Sequence, residues 1–167
     1  ILNKGQRDKK LLVYVGSLLK RKELESLLPL LRRRDDVCLA IVGDGEYRSE
    51  LERAFAGTNC VFTGYLRGRN LAEAYASGDA FIFPTLDEQV GLTLLEAMAS
   101  GVPIIAAQSP LTTEQFHDGQ DALLYTAGDE ASMQPLPVWT IGRLCGASVS
   151  SRVKKPRLRA GNAPVSS

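Results

Sequence analysis

Six short apolar runs recur along the chain, at residues 11–15, 39–42, 60–62, 80–83, 103–107 and 122–125, each followed by a more polar stretch. They are continuous runs rather than alternations of apolar and polar positions. Strands that are apolar on both faces belong to a parallel sheet covered by helices on either side. Between the runs the pattern predicts helices over about 22–34, 47–56, 69–77 and 91–100, the last with Leu92, Leu95 and Ala99 on one face. Strand and helix in alternation predict a doubly wound α/β domain with a Rossmann-like parallel sheet.

Gly16, Gly43, Gly64 and the pair Pro84 and Thr85 each stand just past the end of a predicted strand. Ligands of such sheets bind outside the carboxyl ends of the strands, where glycine lets backbone approach closely. Any one of these glycines is explained equally well by a tight turn. Together they mark one rim.

The periodic pattern covers residues 11–130, leaving 1–10 as a stub of linker. From about Gln134 it fails, because Pro135, Pro137, Gly142, Gly146, Pro156, Gly161 and Pro164 interrupt every segment. A disordered tail is expected over 134–167. The net charge of +1 conceals a division: all 19 acidic residues lie at or before Glu130, whereas Arg143, Arg152, Lys154, Lys155, Arg157 and Arg159 follow it. These basic charges come with no aromatic residue or motif among them, so the tail reads as solvated and no nucleic-acid partner is expected. At 167 residues the chain is long enough for one full core. It contains no uncharged apolar run of membrane-spanning length, and it begins at Ile1, so a targeting segment is not readable from it. Cys38, Cys60 and Cys145 lack metal-ligand or redox spacing and are expected to be thiols; no metal and no cofactor is expected.

The most specific chemical feature spans residues 87–101, where Glu88 and Glu96 are separated by seven residues across a predicted strand-to-helix turn. Glu88 falls in the loop and Glu96 in the helix. The amides around Gln89, Val90, Gly91 and Leu92 would point out of the helix N-terminus, a ready site for a diphosphate. Glu96 lies about 7.5 Å of helical rise beyond Gly91, within reach of a sugar attached to that diphosphate. Carboxylates accept hydrogen bonds from paired hydroxyls, which suits a ribose at Glu96 and a transferred sugar at Glu88. On spacing alone, two such glutamates equally describe one surface residue and one helix cap.

Phe83 and Pro84, then Glu88, Gly91 and Leu92, then the run over 95–103 (Leu-Glu-Ala-Met-Ala-Ser-Gly-Val-Pro) resemble the signature of family-4-type retaining glycosyltransferases. The likeness extends to Tyr14, Val15 and Gly16 with Lys20 and Lys22 after them, and to residues 42–52, 62–66 and 74–79. It covers about residues 11–130. Within that family the wording at 43–51, 62–66 and 74–79 is most similar to the sulfolipid synthases, the sulfoquinovosyl-diacylglycerol-forming enzymes of photosynthetic membranes.

The resemblance implies the C-terminal half of a GT-B fold, binding a nucleotide-sugar donor, UDP-linked, for retaining transfer to a glycerolipid acceptor such as diacylglycerol at a membrane surface. Lys22 matches the basic residue that grips the donor diphosphate, a point charge suited to phosphate oxygens. Glu88 matches the glutamate facing the donor sugar, and with Lys22 forms the implied catalytic pair. Glu96 matches the ribose-binding glutamate, and Tyr65 and Leu66 the loop around the nucleobase. Gly16 and Gly43 fall at the donor rim. Ser17 stands where the family often has an arginine, so one phosphate clamp is expected to be missing. Residues 109–114 replace a glycine-rich turn of relatives, with Glu114 alone fitting. A second, acceptor-binding domain is implied that this sequence does not show. The compartment implied is the chloroplast for a sulfolipid enzyme and the cytoplasm otherwise. The alternative is a catalytically inactive remnant that binds nucleotide or serves as an interaction module. A dinucleotide-binding domain is disfavoured, because no Gly-x-Gly-x-x-Gly follows the first strand. The single histidine, His117, reads as a surface residue.

Overall fold

The computed structural model describes residues 9–88, 91–129 and 132. Residues 1–8 of the predicted linker stub and the predicted basic tail, with Cys145, lie outside them, and Lys10 of the stub instead begins the first strand. Six parallel strands form one sheet: β1 (Lys10–Val15), β2 (Val37–Val42), β3 (Cys60–Gly64), β4 (Ala80–Phe83), β5 (Ile104–Ala107) and β6 (Leu123–Tyr125). Their order across the sheet is β3-β2-β1-β4-β5-β6. All six predicted runs therefore became strands. The chain moves outward in one direction from β1 to β3, returns to the middle at β4, and moves outward the other way. The doubly wound expectation holds, and the reversal lies between β1 and β4.

The runs are apolar on both faces because both faces are covered. Leu12, Tyr14, Leu39, Ile41 and Ile82 point into one core layer with Leu24, Leu27, Leu51 and Phe55. The residues between them, Val13, Val15, Ala40, Phe81 and Phe83, point into a second layer with Tyr75, Leu94 and Ala97. Period-two alternation along each strand thus serves two cores rather than one core and solvent.

Helices α1 (Leu28–Arg33), α2 (Arg48–Ala54), α3 (Gly68–Ser77), α4 (Leu92–Ala99) and α5 (Pro110–Gln115) connect the strands. Three match predicted helices to within two residues. The helix expected over 22–34 is instead two 3-10 turns, Lys20–Lys22 and Leu24–Leu27, followed by α1. Glu23 between the turns adopts a left-handed conformation, φ 55°, which stops the first turn. Pro29, at the start of α1, has no N–H to bond back, so regular helix cannot run through it. The apolar spacing survived because Leu24, Leu27, Leu30 and Leu31 are still buried on one side.

A second correction concerns α4. The face shared by Leu92, Leu95 and Ala99 is turned outward, with Leu92 68% and Leu95 45% exposed. The buried side carries Leu94 and Ala97. Nearly every position of this helix is apolar, so periodicity did not distinguish its two faces. α5 was not anticipated. Ser109 caps it by accepting the Thr112 N–H, Thr112 returns a bond to the Ser109 N–H at 2.9 Å, and Pro110 occupies the first turn. Residues 109–114, which replace a glycine-rich turn of relatives, form a capped helix start.

Candidate functional site

The parallel sheet places every strand's carboxyl end on one rim. β1 and β4 pair only at Leu12–Ala80 and Val13–Phe81. Pairing stops two residues short of both strand ends, Val15 and Phe83, and leaves a crevice at the reversal of strand order. The two loops that leave this crevice carry Lys22 and Glu88.

Lys22, at the end of the first 3-10 turn, is 8% exposed, and its ammonium donates to the Glu88 Oε2 in a close ion pair. The residues are 66 positions apart in sequence and meet only because β1 and β4 are neighbours. Beneath them lies Tyr14, buried in β1, whose hydroxyl donates to the Ser17 carbonyl at 3.2 Å. Burial raises the Tyr14 phenol far above its ordinary value, the negative Glu88 raises it further, and Arg21 opposes both. Tyr14 therefore stays a neutral donor and props the loop that holds Ser17, itself exposed. Thr85, two residues past β4, is buried, and its hydroxyl has no partner among the described residues.

Gly16 and Gly43 hold adjacent loops together. The Gly16 N–H bonds to the Val42 carbonyl at 3.0 Å and the Gly43 N–H to the Gly64 carbonyl at 2.9 Å. Gly43 has φ 138°, and a Cβ there would lie 1.9 Å from the Gly16 carbonyl oxygen. No side chain fits, so the loops after β1 and β2 approach as closely as backbone allows.

Gly91 starts α4 with φ 59°, and its carbonyl receives the N–H groups of Leu94 and Leu95 at 2.8 and 3.1 Å. The amides ahead of them, at Leu92 and Thr93, face out of the helix end, where an anion is favoured. Gln89 and Val90, expected beside them, lie outside the described residues. Glu96 is exposed on the second turn of α4, and its Oε2 accepts from the Tyr75 hydroxyl of α3 at 2.8 Å. Tyr65 and Leu66 follow β3, two strand spacings or about 10 Å across the sheet from β1. The Tyr65 ring is exposed under the Arg67 guanidinium, 4.8 Å from its centroid, while Leu66 packs on the core that contains Tyr75 and Leu94.

The geometry thus joins Lys22 to Glu88, sets Glu96 against α3, and leaves Tyr65 and Leu66 further along the same rim. Tyr14 and Tyr75, the buried phenols that touch these elements, fall in segments that carry the resemblance but received no role from the sequence. The signal was available for Tyr75, which sits inside the 74–79 segment already noted and shares the short run Ala-Tyr-Ala with apolar neighbours. Glu114 is exposed on α5. His117 is exposed, as expected, with its Nδ1 3.0 Å from the Asp121 carboxylate, which it holds below the usual carboxylate range. Among the described residues no group of three His, Cys, Asp or Glu side chains gathers to hold a metal ion.

A family model described as "Glycosyl transferases group 1" matches residues 9–134. Sulfoquinovosyl transferase SQD2 of Arabidopsis thaliana is 39% identical over 131 residues, covering 77% of this chain and 26% of that protein. A GDP-mannose-dependent alpha-mannosyltransferase of Mycolicibacterium smegmatis is 50% identical over 93 residues, covering 56% of this chain and 24% of its own length. The chain spans about a quarter of the length of these relatives. Among solved structures, Anabaena Alr3699/HepE in complex with UDP and glucose superposes with a TM-score of 0.71 at 21% identity, over 82% of this chain and 40% of that one. At that identity the likeness is one of fold.

Proposed function

The chain belongs to the glycosyl transferases group 1, and from that premise we propose that its rim binds a UDP-linked sugar as the donor half of a retaining transferase. The observation that carries this reading is the Lys22–Glu88 pair at the β1/β4 crevice, beside the N-terminus of α4. In the proposed complex the diphosphate lies between the Lys22 ammonium and the α4 amides. Glu88 accepts hydroxyls of the transferred sugar, Glu96 those of the ribose, and the Tyr65–Leu66 loop meets the base.

Cleavage of the anomeric carbon–oxygen bond leaves its electron pair on the diphosphate. Lys22 and the helix amides stabilise that charge, and the departing phosphate oxygen takes the proton of the acceptor hydroxyl, whose oxygen bonds to the anomeric carbon on the face the phosphate leaves. This is electrostatic catalysis at a preorganised anion site, where one contact is typically worth about 10² to 10³ in rate. We assign a diacylglycerol-type lipid as acceptor on the likeness to the sulfolipid-forming branch, and a second domain to hold it. No helix among the described residues is long and apolar enough to cross a membrane.

Calorimetry with UDP and GDP tests the donor. Micromolar to millimolar binding of UDP, weakened roughly 10- to 100-fold by Lys22→Ala, is expected. Preference for GDP would support a second reading, a guanine-linked donor, favoured by the name of the mycobacterial relative. Absence of binding to both would sink both donor readings. Nucleotide binding with no transfer, even when an acceptor-binding domain of a relative is supplied, would leave the alternative of an inactive binding module.

A further inference from the structure

Tyr75 is 2% exposed, with its ring packed on Phe81 at 5.6 Å between centroids and enclosed by the core that includes Leu94 and Ala97. A phenol buried that deeply requires a partner for its hydroxyl. Tyr75 has reached across from α3 to α4 for it: the Glu96 Oε2 lies at 2.8 Å and the Thr93 carbonyl at 3.2 Å. One proton cannot serve both fully, and the charged, nearer acceptor takes the larger share. Burial, then this hydrogen bond, then the glutamate's charge push the Tyr75 phenol far above its ordinary value, so it remains a donor at any working pH.

The pair is unequal in need. Tyr75 depends on Glu96 for its only charged acceptor among the described residues, whereas Glu96 is exposed and has water available. What Glu96 gains is position. An exposed glutamate samples several rotamers and must be immobilised each time it binds, which weakens binding. Held by one oxygen from below, Glu96 keeps its other oxygen, and a remaining lone pair on the first, for two neighbouring hydroxyls. From this geometry we infer that Tyr75 is a positioning residue for the donor, presetting the Glu96 carboxylate to receive the vicinal diol of a ribose. The inference rests on the assignment of the ribose to Glu96, and deepens it by naming the group that aims the carboxylate.

Tyr75→Phe keeps the ring and its packing on Phe81 and removes only the hydroxyl; Tyr75→Met removes it in a different shape. Both variants and Glu96→Ala are compared by calorimetry with UDP and with 2′,3′-dideoxy-UDP, which lacks the diol, or with the guanine pair if GDP is the nucleotide bound. Loss of roughly fivefold in UDP affinity is expected for either Tyr75 variant. Affinity for the dideoxy nucleotide should be unchanged, and Tyr75→Phe should have no further effect in the Glu96→Ala background. If Glu96→Ala weakens UDP while neither Tyr75 variant does, the inference falls and the ribose assignment stands. Equal loss for both nucleotides, or a loss that persists without Glu96, makes Tyr75 a packing residue only and overturns the inference. If Glu96→Ala leaves UDP affinity unchanged, or if the chain binds none of these nucleotides, the ribose assignment itself falls and takes the inference with it.

Discussion

A buried ammonium is held in place by an anion, and at Lys22 that anion is Glu88. A nucleoside diphosphate arriving at the crevice competes for the same cation with a carboxylate already seated there. Glu88→Gln removes the competitor without changing side-chain shape, so the affinity for free UDP should rise, by roughly fivefold for about 1 kcal/mol of pair energy. Lys22→Ala should do the opposite, weakening UDP roughly 10- to 100-fold through loss of a charged hydrogen bond. Calorimetry at fixed ionic strength reads both; a fall in affinity for Glu88→Gln would show that Glu88 assists rather than opposes the diphosphate. Cys60 offers a check on the interior that is independent of the ligand. Burial pushes its thiol up to about 12. At pH 8 the folded chain holds only about one thiolate in 10⁴, against about one in four for an ordinary thiol. Alkylation of Cys60, followed by peptide mass spectrometry, should be slower by orders of magnitude in native protein than in urea. Because the folded value is raised, the folded state loses stability as pH climbs past the unfolded thiol value of about 8.5, and not as it falls. Part of the candidate site was legible in the residues themselves: Glu88, Gly91 and Glu96 stand out as charge and glycine at a strand-to-helix turn, whereas Lys22 entered only through the resemblance to the family. The buried phenols were not legible, since Tyr14 and Tyr75 look like core residues and only the fold shows where their hydroxyls end.

At the level of elements, the strands were legible because burial on both faces makes unbroken apolar runs, while the helices were legible only in place. α4 shows the limit. With Leu92, Leu94, Leu95, Ala97, Met98 and Ala99 in one helix, hydrophobicity alone cannot select the inner face. The structure selects Leu94 and Ala97, so Leu94→Ala should cost about 2 to 5 kcal/mol in urea unfolding. Leu95→Ala, on the exposed side, should stay within about 0.5 kcal/mol. Equal costs would mean that the helix is rotated from the orientation described. α5 escaped notice for a different reason: its six residues are too few for a periodic pattern, and the signal lies wholly in the cap formed by Ser109 and Thr112. The loops between strands are held more tightly than their polar composition suggests. At Gly43 a single methyl would overlap the Gly16 carbonyl, so Gly43→Ala must push the β1 and β2 loops apart. Its thermal midpoint should fall by several degrees, and UDP affinity with it, since Lys22 follows directly on the displaced loop.

At the scale of the molecule, the groups proposed to grip the donor come from loops on both sides of the strand-order reversal, and nothing in either half of the sheet suffices alone. Lys22 is delivered by the connection after β1, Glu88 and the α4 amides by that after β4, and Tyr65 by that after β3. A donor bridging them ties the two halves together, and ligand bound only to the folded form stabilises it by mass action. At a UDP concentration 100 times its dissociation constant the gain is about 2.7 kcal/mol, which in a domain of this size raises the thermal midpoint by about 10 °C. Lys22→Ala and Glu96→Ala should each shrink that shift at the same UDP concentration. Transfer is a separate demand. In the proposed complex the rim holds the leaving group and the ribose, and the chain spans about a quarter of the length of the relatives that share it. The expected result is therefore a full thermal shift with UDP and no sugar transfer to diacylglycerol from this chain alone, read from radiolabelled UDP-sugar and extracted lipid. Transfer that appears only when an acceptor-binding domain is added would assign the acceptor to that domain; transfer without it would place an acceptor subsite on this sheet.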